Sequence, residues 1–142
     1  MSKANFTTAL EAEAAFYQAL AQGNVDALMA VWSEEDEVVC VHPGGPRIVG
    51  LAAVRETWRQ ILSNGNALKI DVSQTVVSAS AMMAMHCVFE RVGAEGQMQR
   101  GPTLAATNVY VRGSNGWRMV LHHASPLPEH ADFGDLSPRV VH

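Results

Sequence analysis

The amino-acid sequence predicts an α+β fold in which three N-terminal helices cover one face of an antiparallel β-sheet. Apolar residues at helical spacing occur between residues 7 and 65. From residue 67 onward, four β-rich segments follow one another, separated by turn-rich pieces. The 142 residues show no internal repeat and no change of composition that would mark a linker, so we expect a single domain over residues 1–142.

Three segments carry helix signals. Residues 7–22 are Ala-rich and predict the first helix, which Gly23 ends. Asn24 can cap a short second helix, because its side chain accepts a hydrogen bond from a free backbone amide. A third helix is predicted from the helical spacing of apolar residues between Leu51 and Leu62, and Gly65 ends it. The apolar face of the first helix is expected to carry Leu10, Ala14, Tyr17 and Ala21, with Phe16 and Leu20 beside it.

Strands are predicted in two places. EVVCVH at 37–42 and RIVG at 47–50 flank the turn-forming PGGP and form a short pair between the second and third helices. The main sheet is expected to have four strands, and GSNG is a plausible hairpin turn between the last two. Those four strands are residues 67–78, 80–92, 103–113 and 116–125.

Composition excludes several classes of protein. Apolar residues make up 48% and charged residues 17%, so the chain can bury a core. The formal net charge is −4 and the ten basic residues are scattered, which argues against nucleic acid and anionic membranes as partners. No apolar run approaches membrane-spanning length, so we expect a cytoplasmic protein. Cys40 and Cys87 lack CxxC spacing and are expected to be free thiols.

The predicted strands are apolar on both faces. In residues 82–89 and 117–125, neither alternate set of residues reads as a solvent face. One face packs on the helices, and we expect the other to contact a second copy of the chain, through residues that include Met119, Leu121 and His123. The alternative is that the C-terminal tail, residues 127–142, covers that face.

Alternation also separates the adjacent histidines of VLHHAS. Successive side chains on a strand point to opposite faces. His122 and His123 therefore cannot bind one metal or contact one substrate.

The runs AFYQALAQGNVDALMAVWSEEDEVVCVHPGG and ATNVYVRGSNGWRMVLHHASP resemble the SnoaL-like branch of the nuclear transport factor 2-like superfamily. The resemblance covers residues 7–126. It implies a cone, in which a curved sheet wraps over three helices and encloses a pocket, and dimers that form sheet to sheet. Members include ketosteroid isomerase, polyketide cyclases, dehydratases and proteins without enzymatic activity, so the fold alone does not decide the function.

By this resemblance, Asn108, Tyr110, Val120 and His122 face the pocket, whereas His123 and Ser125 face the dimer partner. His122 and His42 are the candidate general bases, since histidine titrates near neutral pH. Asn108 and Tyr110 are candidates to orient a carbonyl or carboxylate, and His86 joins them if it shares the pocket. Trp32 and Trp58 are candidate lining residues. The alternatives are structural: a turn contact for His42 and core packing for His86, Trp32 and Trp58. Tyr110 could instead be an aromatic residue at the rim, and Asn108 could satisfy backbone groups.

Acidic residues that would match the catalytic groups of ketosteroid isomerase are not evident, because none of Asp71, Glu90 and Glu37 fits that pattern. Any chemistry is therefore expected to depend on a histidine. His42, His86 and His122 show no HxH or HxxxH spacing, and we predict neither a metal nor a cofactor. The leading hypothesis is a binder of a small, largely apolar molecule carrying a carbonyl or carboxylate. The alternatives are an isomerase, cyclase or dehydratase with a histidine base, and a dimeric scaffold.

Overall fold

The computed structural model describes residues 5–93 and 102–128. Over these residues the chain forms three α-helices and six β-strands, which confirms the predicted α+β class. In chain order, the elements are α1 (Ala9–Gln22), α2 (Val25–Met29), β1 (Val39–Val41), β2 (Arg47–Val49), α3 (Leu51–Ile61), β3 (Lys69–Ala79), β4 (Met83–Gly93), β5 (Thr103–Gly113) and β6 (Gly116–Pro126). The predicted loop between β4 and β5 and most of the C-terminal tail lie outside the described residues.

The junction between α1 and α2 forms as the sequence predicts. The Asn24 side chain accepts a hydrogen bond from the backbone N–H of Ala27 at 3.0 Å, which caps α2. Gly23 ends α1 in the left-handed conformation, with φ at 63°. A Cβ atom at Gly23 would also lie only 2.6 Å from the carbonyl oxygen of Asn66, so both conformation and space require glycine here.

All six strands belong to one sheet, in the order β2-β1-β6-β5-β4-β3. The four long strands pair antiparallel, as expected, and Gly113 pairs with Gly116 across the predicted hairpin turn. The short pair is not separate, because β1 lies parallel to β6 and extends the main sheet. His42 follows β1 directly, so this pairing places it beside the end of β6 that carries His122.

A β-bulge in β6 changes which of its residues face the helices. Leu121 pairs with Val109 and Met119 pairs with Tyr110, so Val120 is an extra residue with no partner. Met119 and His122 therefore lie on the same face, and Met119 is 0% exposed. The prediction that Met119 contributes to an outer dimer surface is wrong, as is the regular alternation that placed Val120 beside His122.

The helices cover one face of the sheet, and α1 lies there in a different rotation from the predicted one. Leu10 is 64% exposed, whereas Glu13 is only 6% exposed. The residues of α1 that are buried are Ala9, Ala12, Glu13, Phe16, Ala19 and Leu20. Alanines occur on every side of this helix, so they gave no information about which face packs inward. In the described residues, no helix is both long and apolar enough to cross a membrane.

Candidate functional site

A cavity of about 190 Å³ lies between the helices and one end of the sheet. That end is formed where β3 and β5 begin and where β4 and β6 finish, since Ile70 pairs with Val92 and Glu90 pairs with Leu104. Its walls are mainly apolar and consist of Leu20, Pro43, Trp58, Ile61, Leu68, Ile70, Val92, Leu104 and Ala124, with Glu90, His42 and His122 among them.

His122 is held by the buried amide of Asn108. The Nδ1 atom of His122 lies 2.6 Å from Oδ1 of Asn108. The Asn108 amide is oriented by Glu13, because its Nδ2 donates to the Glu13 carboxylate at 3.3 Å, and a carboxylate only accepts. Oδ1 must then accept a proton from His122, so Nδ1 carries the hydrogen and Nε2 carries a lone pair. Burial, with smaller effects from His42 and His123, lowers the pKa of His122 to about 3, and the ring is neutral at physiological pH.

Glu13 is the centre of a buried network behind the cavity wall. Its Oε2 atom accepts hydrogen bonds from the Tyr110 hydroxyl at 2.9 Å, from Nδ1 of His86 at 3.0 Å and from Asn108. Burial, followed by the charge of Glu13, raises the pKa of Tyr110 well above its usual value, so this phenol remains a donor. The network gives Oε2 of Glu13 three donors from two neighbouring strands, β4 and β5.

Glu90 is bound on one side by Tyr17. The Tyr17 hydroxyl donates to Oε2 of Glu90 at 2.5 Å and accepts from Nδ2 of Asn108 at 2.8 Å. Burial raises the pKa of Glu90, the Tyr17 hydrogen bond opposes that rise, and the charge of Glu13 adds to it. Within the described part of the chain, the second oxygen of Glu90 and Nε2 of His122 have no hydrogen-bond partner.

His42 lies at the mouth of the cavity and also has a defined tautomer. Its Nε2 atom is 3.0 Å from the hydroxyl oxygen of Thr57, and that hydroxyl donates its only proton to the Val54 carbonyl at 2.8 Å. His42 must therefore donate through Nε2, which leaves the lone pair on Nδ1. Burial lowers the pKa of His42 and favours the neutral ring. The imidazole also packs edge-on against Trp58, with 4.6 Å between ring centroids.

The seven residues proposed from the sequence fall into three places. His122, His42 and Trp58 line the cavity. Asn108, Tyr110 and His86 form the network around Glu13 and lie behind the wall. Trp32 is fully buried elsewhere in the core, where it bridges to Met119.

Sequence reasoning missed Glu13, Tyr17 and Glu90. Glu90 had a usable signal, because it shares the alternation of His86 on the same strand and so faces the same side. The only signal for Glu13 was its spacing of three and seven residues from Phe16 and Leu20, which places all three on one face of α1. Contrary to expectation, a carboxylate therefore lies in the cavity wall. Among the described residues, no three His, Cys, Asp or Glu side chains come close enough together to hold a metal ion.

Comparison with known proteins agrees with this architecture. The model of the SnoaL-like domain family matches residues 10–129. A Thiobacillus denitrificans structure named for a calcium/calmodulin-dependent protein kinase type II association domain is 36% identical, with a TM-score of 0.78, over 88% of this chain and 99% of that one. A Streptomyces avermitilis structure named for a dehydratase of the nuclear transport factor 2-like family is 27% identical, with a TM-score of 0.71, over 82% of this chain and 91% of that one.

A Parabacteroides distasonis structure named for a ketosteroid isomerase shares the fold, with a TM-score of 0.70 and 17% identity over 92% of this chain and all of that one (100%). No curated protein is significantly similar to the chain. Because the family model spans most of the sequence, this chain belongs to the SnoaL-like domain family, within the nuclear transport factor 2-like superfamily.

Proposed function

We propose that this protein binds one small, largely apolar molecule in its cone. The observation that carries the proposal is a mainly apolar cavity with two buried polar groups, Glu90 and His122, in its wall. An apolar cavity of about 150 Å³ holds benzene. The volume of about 190 Å³ therefore suits a molecule built on a single substituted ring.

The two polar groups support a ligand site over simple packing. Glu90 and His122 each use one atom in the hydrogen-bonded network and leave the other unused. In the described residues, neither Oε1 of Glu90 nor Nε2 of His122 belongs to the fully buried atoms without a partner, so both are accessible from the cavity. A bound molecule can therefore pair with them.

Filling the cavity is expected to abolish binding. Ala124 is buried in the wall, and Ala124→Leu would place a larger side chain in the space that a ligand needs. We expect the affinity for single-ring compounds, measured by NMR titration of the labelled protein, to fall at least about tenfold. Ala14→Leu, the same change at an exposed position of α1, is the matched control. Equal affinity in the wild type and Ala124→Leu would show that the compounds bind elsewhere.

Acid–base catalysis is a second candidate, and the raised pKa of Glu90 favours it. A general base works best when its pKa lies near the operating pH, and burial moves Glu90 in that direction. His122 moves the other way, since a pKa of about 3 makes it a weak base. If the protein is an isomerase or dehydratase, we therefore assign the proton transfer to Glu90. A bound compound that is recovered chemically unchanged in deuterated water would argue for binding alone.

We also propose that the outer face of the sheet forms a homodimer. Leu121 and His123 pair with Val109 and Thr107 on that face, opposite the helices. A shallow depression of about 430 Å³ there is lined partly by Val76, Cys87 and Phe89. Val76 is 64% exposed and Met83 is 51% exposed, and large exposed apolar patches are rare in monomers. The Thiobacillus structure named for an association domain is consistent with such assembly.

A charge on this face is expected to break the dimer. Met85 pairs with Val109 and so lies among these residues. We expect Met85→Arg to convert a dimer into a monomer in sedimentation equilibrium at micromolar concentration, because an unpaired charge would be buried at the contact. Gln18→Arg, on the exposed side of α1, should leave the mass unchanged. A wild type that is monomeric throughout would contradict the proposal.

A further inference from the structure

We propose that the cavity selects ligands whose polar end is a hydrogen-bond donor, a hydroxyl or an amino group, over carbonyl or carboxylate compounds of the same shape. This inference rests on the proposed binding function, because it concerns the ligand of the same cavity. It differs from the carbonyl- or carboxylate-bearing ligand expected from the sequence. The reason is that the surrounding hydrogen bonds consume the donor capacity of the polar groups in the wall.

His122 presents an acceptor because its proton is already used. Glu13 can only accept, so it turns the Nδ2 group of Asn108 toward itself and turns Oδ1 toward His122. The His122 proton then lies on Nδ1, 2.6 Å from that oxygen. Nε2, which has no partner in the described residues, can only accept. A ligand hydroxyl or N–H satisfies it, whereas a ketone oxygen would face a lone pair.

Glu90 presents a second acceptor. Tyr17 donates its proton to Oε2 of Glu90, and Tyr17 itself receives a proton from Asn108. The direction of these bonds leaves Oε1 as the unused carboxylate oxygen. A ligand carboxylate in this apolar cavity would be placed against Glu90 with no cation among the lining residues to offset the repulsion.

The two remaining polar groups in the wall do not supply a donor. The Nε2–H group of His42 donates to the Thr57 hydroxyl, because that hydroxyl donates its own proton to the Val54 carbonyl. The Trp58 indole nitrogen is buried beneath the wall without an oxygen or nitrogen partner. Because that nitrogen is fully buried, its N–H does not reach a ligand in the cavity.

The test uses four compounds that share one ring and differ in the polar end: benzyl alcohol, benzylamine, benzaldehyde and benzoate. Dissociation constants are measured by NMR titration of the full chain at neutral pH. We expect the alcohol to bind about tenfold more tightly than the aldehyde, because one satisfied hydrogen bond separates these two neutral compounds. We expect the amine, an ammonium ion at neutral pH, to bind more tightly than the benzoate anion, because Glu90 attracts the first and repels the second. If benzaldehyde or benzoate binds as tightly as the alcohol, the inference is overturned and the binding function stands. Binding of none of the four would contradict the proposed function and this inference with it.

A matched variant reverses the polarity of one atom. Glu90→Gln can keep the Tyr17 hydrogen bond on its oxygen while an NH₂ donor replaces the second oxygen. We expect benzaldehyde to gain affinity and the preference for the alcohol to disappear. Ile70→Val, which trims an apolar part of the wall, should weaken all four compounds equally. An unchanged preference in Glu90→Gln would count against the assignment of Glu90.

The tautomer of His122 gives a readout that needs no ligand and no mutation. The ¹⁵N chemical shifts of its ring should show a protonated Nδ1 and an unprotonated Nε2 at neutral pH. Protonation at Nε2 would overturn the inference, because the cavity would then offer a donor.

Discussion

Replacement of Glu13 by alanine is expected to destabilise the fold by about 3–5 kcal/mol, because each buried donor that loses its acceptor costs about 1–3 kcal/mol. The carboxylate accepts from His86, Asn108 and Tyr110, and all three donors are buried. Without it, each of them loses a partner, and the shortened side chain leaves a cavity between α1 and the sheet. Urea unfolding measures the loss as a lower midpoint with an unchanged slope.

The loss of stability should depend on the burial of the Glu13 side chain, and not on its being part of α1. Gln18→Ala truncates an exposed side chain of similar length on α1 and should change stability by less than about 0.5 kcal/mol. Glu13→Gln should fall between the two, since its amide oxygen can still accept while its NH₂ faces other donors. A loss below about 1 kcal/mol for Glu13→Ala would mean that water or rearranged partners replace the carboxylate.

Acid is expected to destabilise this protein through His122. The pKa of His122 is about 3 in the folded protein because of burial, against 6.5 for an ordinary histidine. Between these values the unfolded chain binds a proton that the folded chain does not, so stability falls as pH falls from 6.5 to 3. One pKa unit corresponds to about 1.4 kcal/mol, so the loss attributable to His122 is at most about 5 kcal/mol.

Variants separate His122 from the other titrating groups. His122→Phe keeps an aromatic ring beside Phe16 and Trp58 but cannot titrate. It should lower stability at neutral pH, because Asn108 loses its donor, and it should flatten the decline between pH 6.5 and 3. Equal declines in the wild type and His122→Phe, each measured by urea unfolding at several pH values, would rule out the assignment to His122.

Glu90 contributes with the opposite sign, which sharpens the comparison. Burial raises its pKa, so the folded protein holds a proton that the unfolded chain has released once the pH passes 4.5. In that window, stability falls as pH rises. The two windows overlap above pH 4.5, where the effects of Glu90 and His122 on stability oppose each other. The acid-side decline caused by His122 is therefore clearest below pH 4.5, and only the His122 variant removes it.

Part of the fold was predictable because it depends on local groups. Asn24 caps α2 with a hydrogen bond to a residue three positions away, and Gly23 ends α1 because its own backbone can adopt a positive φ. The turn-rich GSNG joins two strands whose pairing follows directly from their proximity in the chain. His122 and His123 were also separated correctly, since alternation along a strand needs no knowledge of the partner.

The candidate site was predictable only in part. Asn108 and Tyr110 were proposed together, and His86 only if it shared the pocket, but Glu13, which joins all three, was not named. The reason lies in α1, where the predicted buried face included Leu10, which is exposed, and did not include Glu13, which is buried. Met119 was misplaced for a different reason. The extra residue at Val120 reverses which side chains of β6 face the helices, and the amino-acid sequence gives no signal for such a bulge.

The sequence by itself determined the class of fold, the ends of the first two helices, the antiparallel pairing of the four long strands and the family. These features depend on groups a few residues apart, whose hydrogen bonds and spacing can be read along the chain. The tertiary structure alone decided that Glu13 is buried, that Glu90 lines the cavity and that His122 presents a lone pair to it. Those properties arise from hydrogen bonds between residues as far apart as Glu13 and Tyr110, which are 97 positions from each other in the chain. Such distant partners set the burial of a side chain and the position of its proton. These contacts form only when the helices have packed on the sheet.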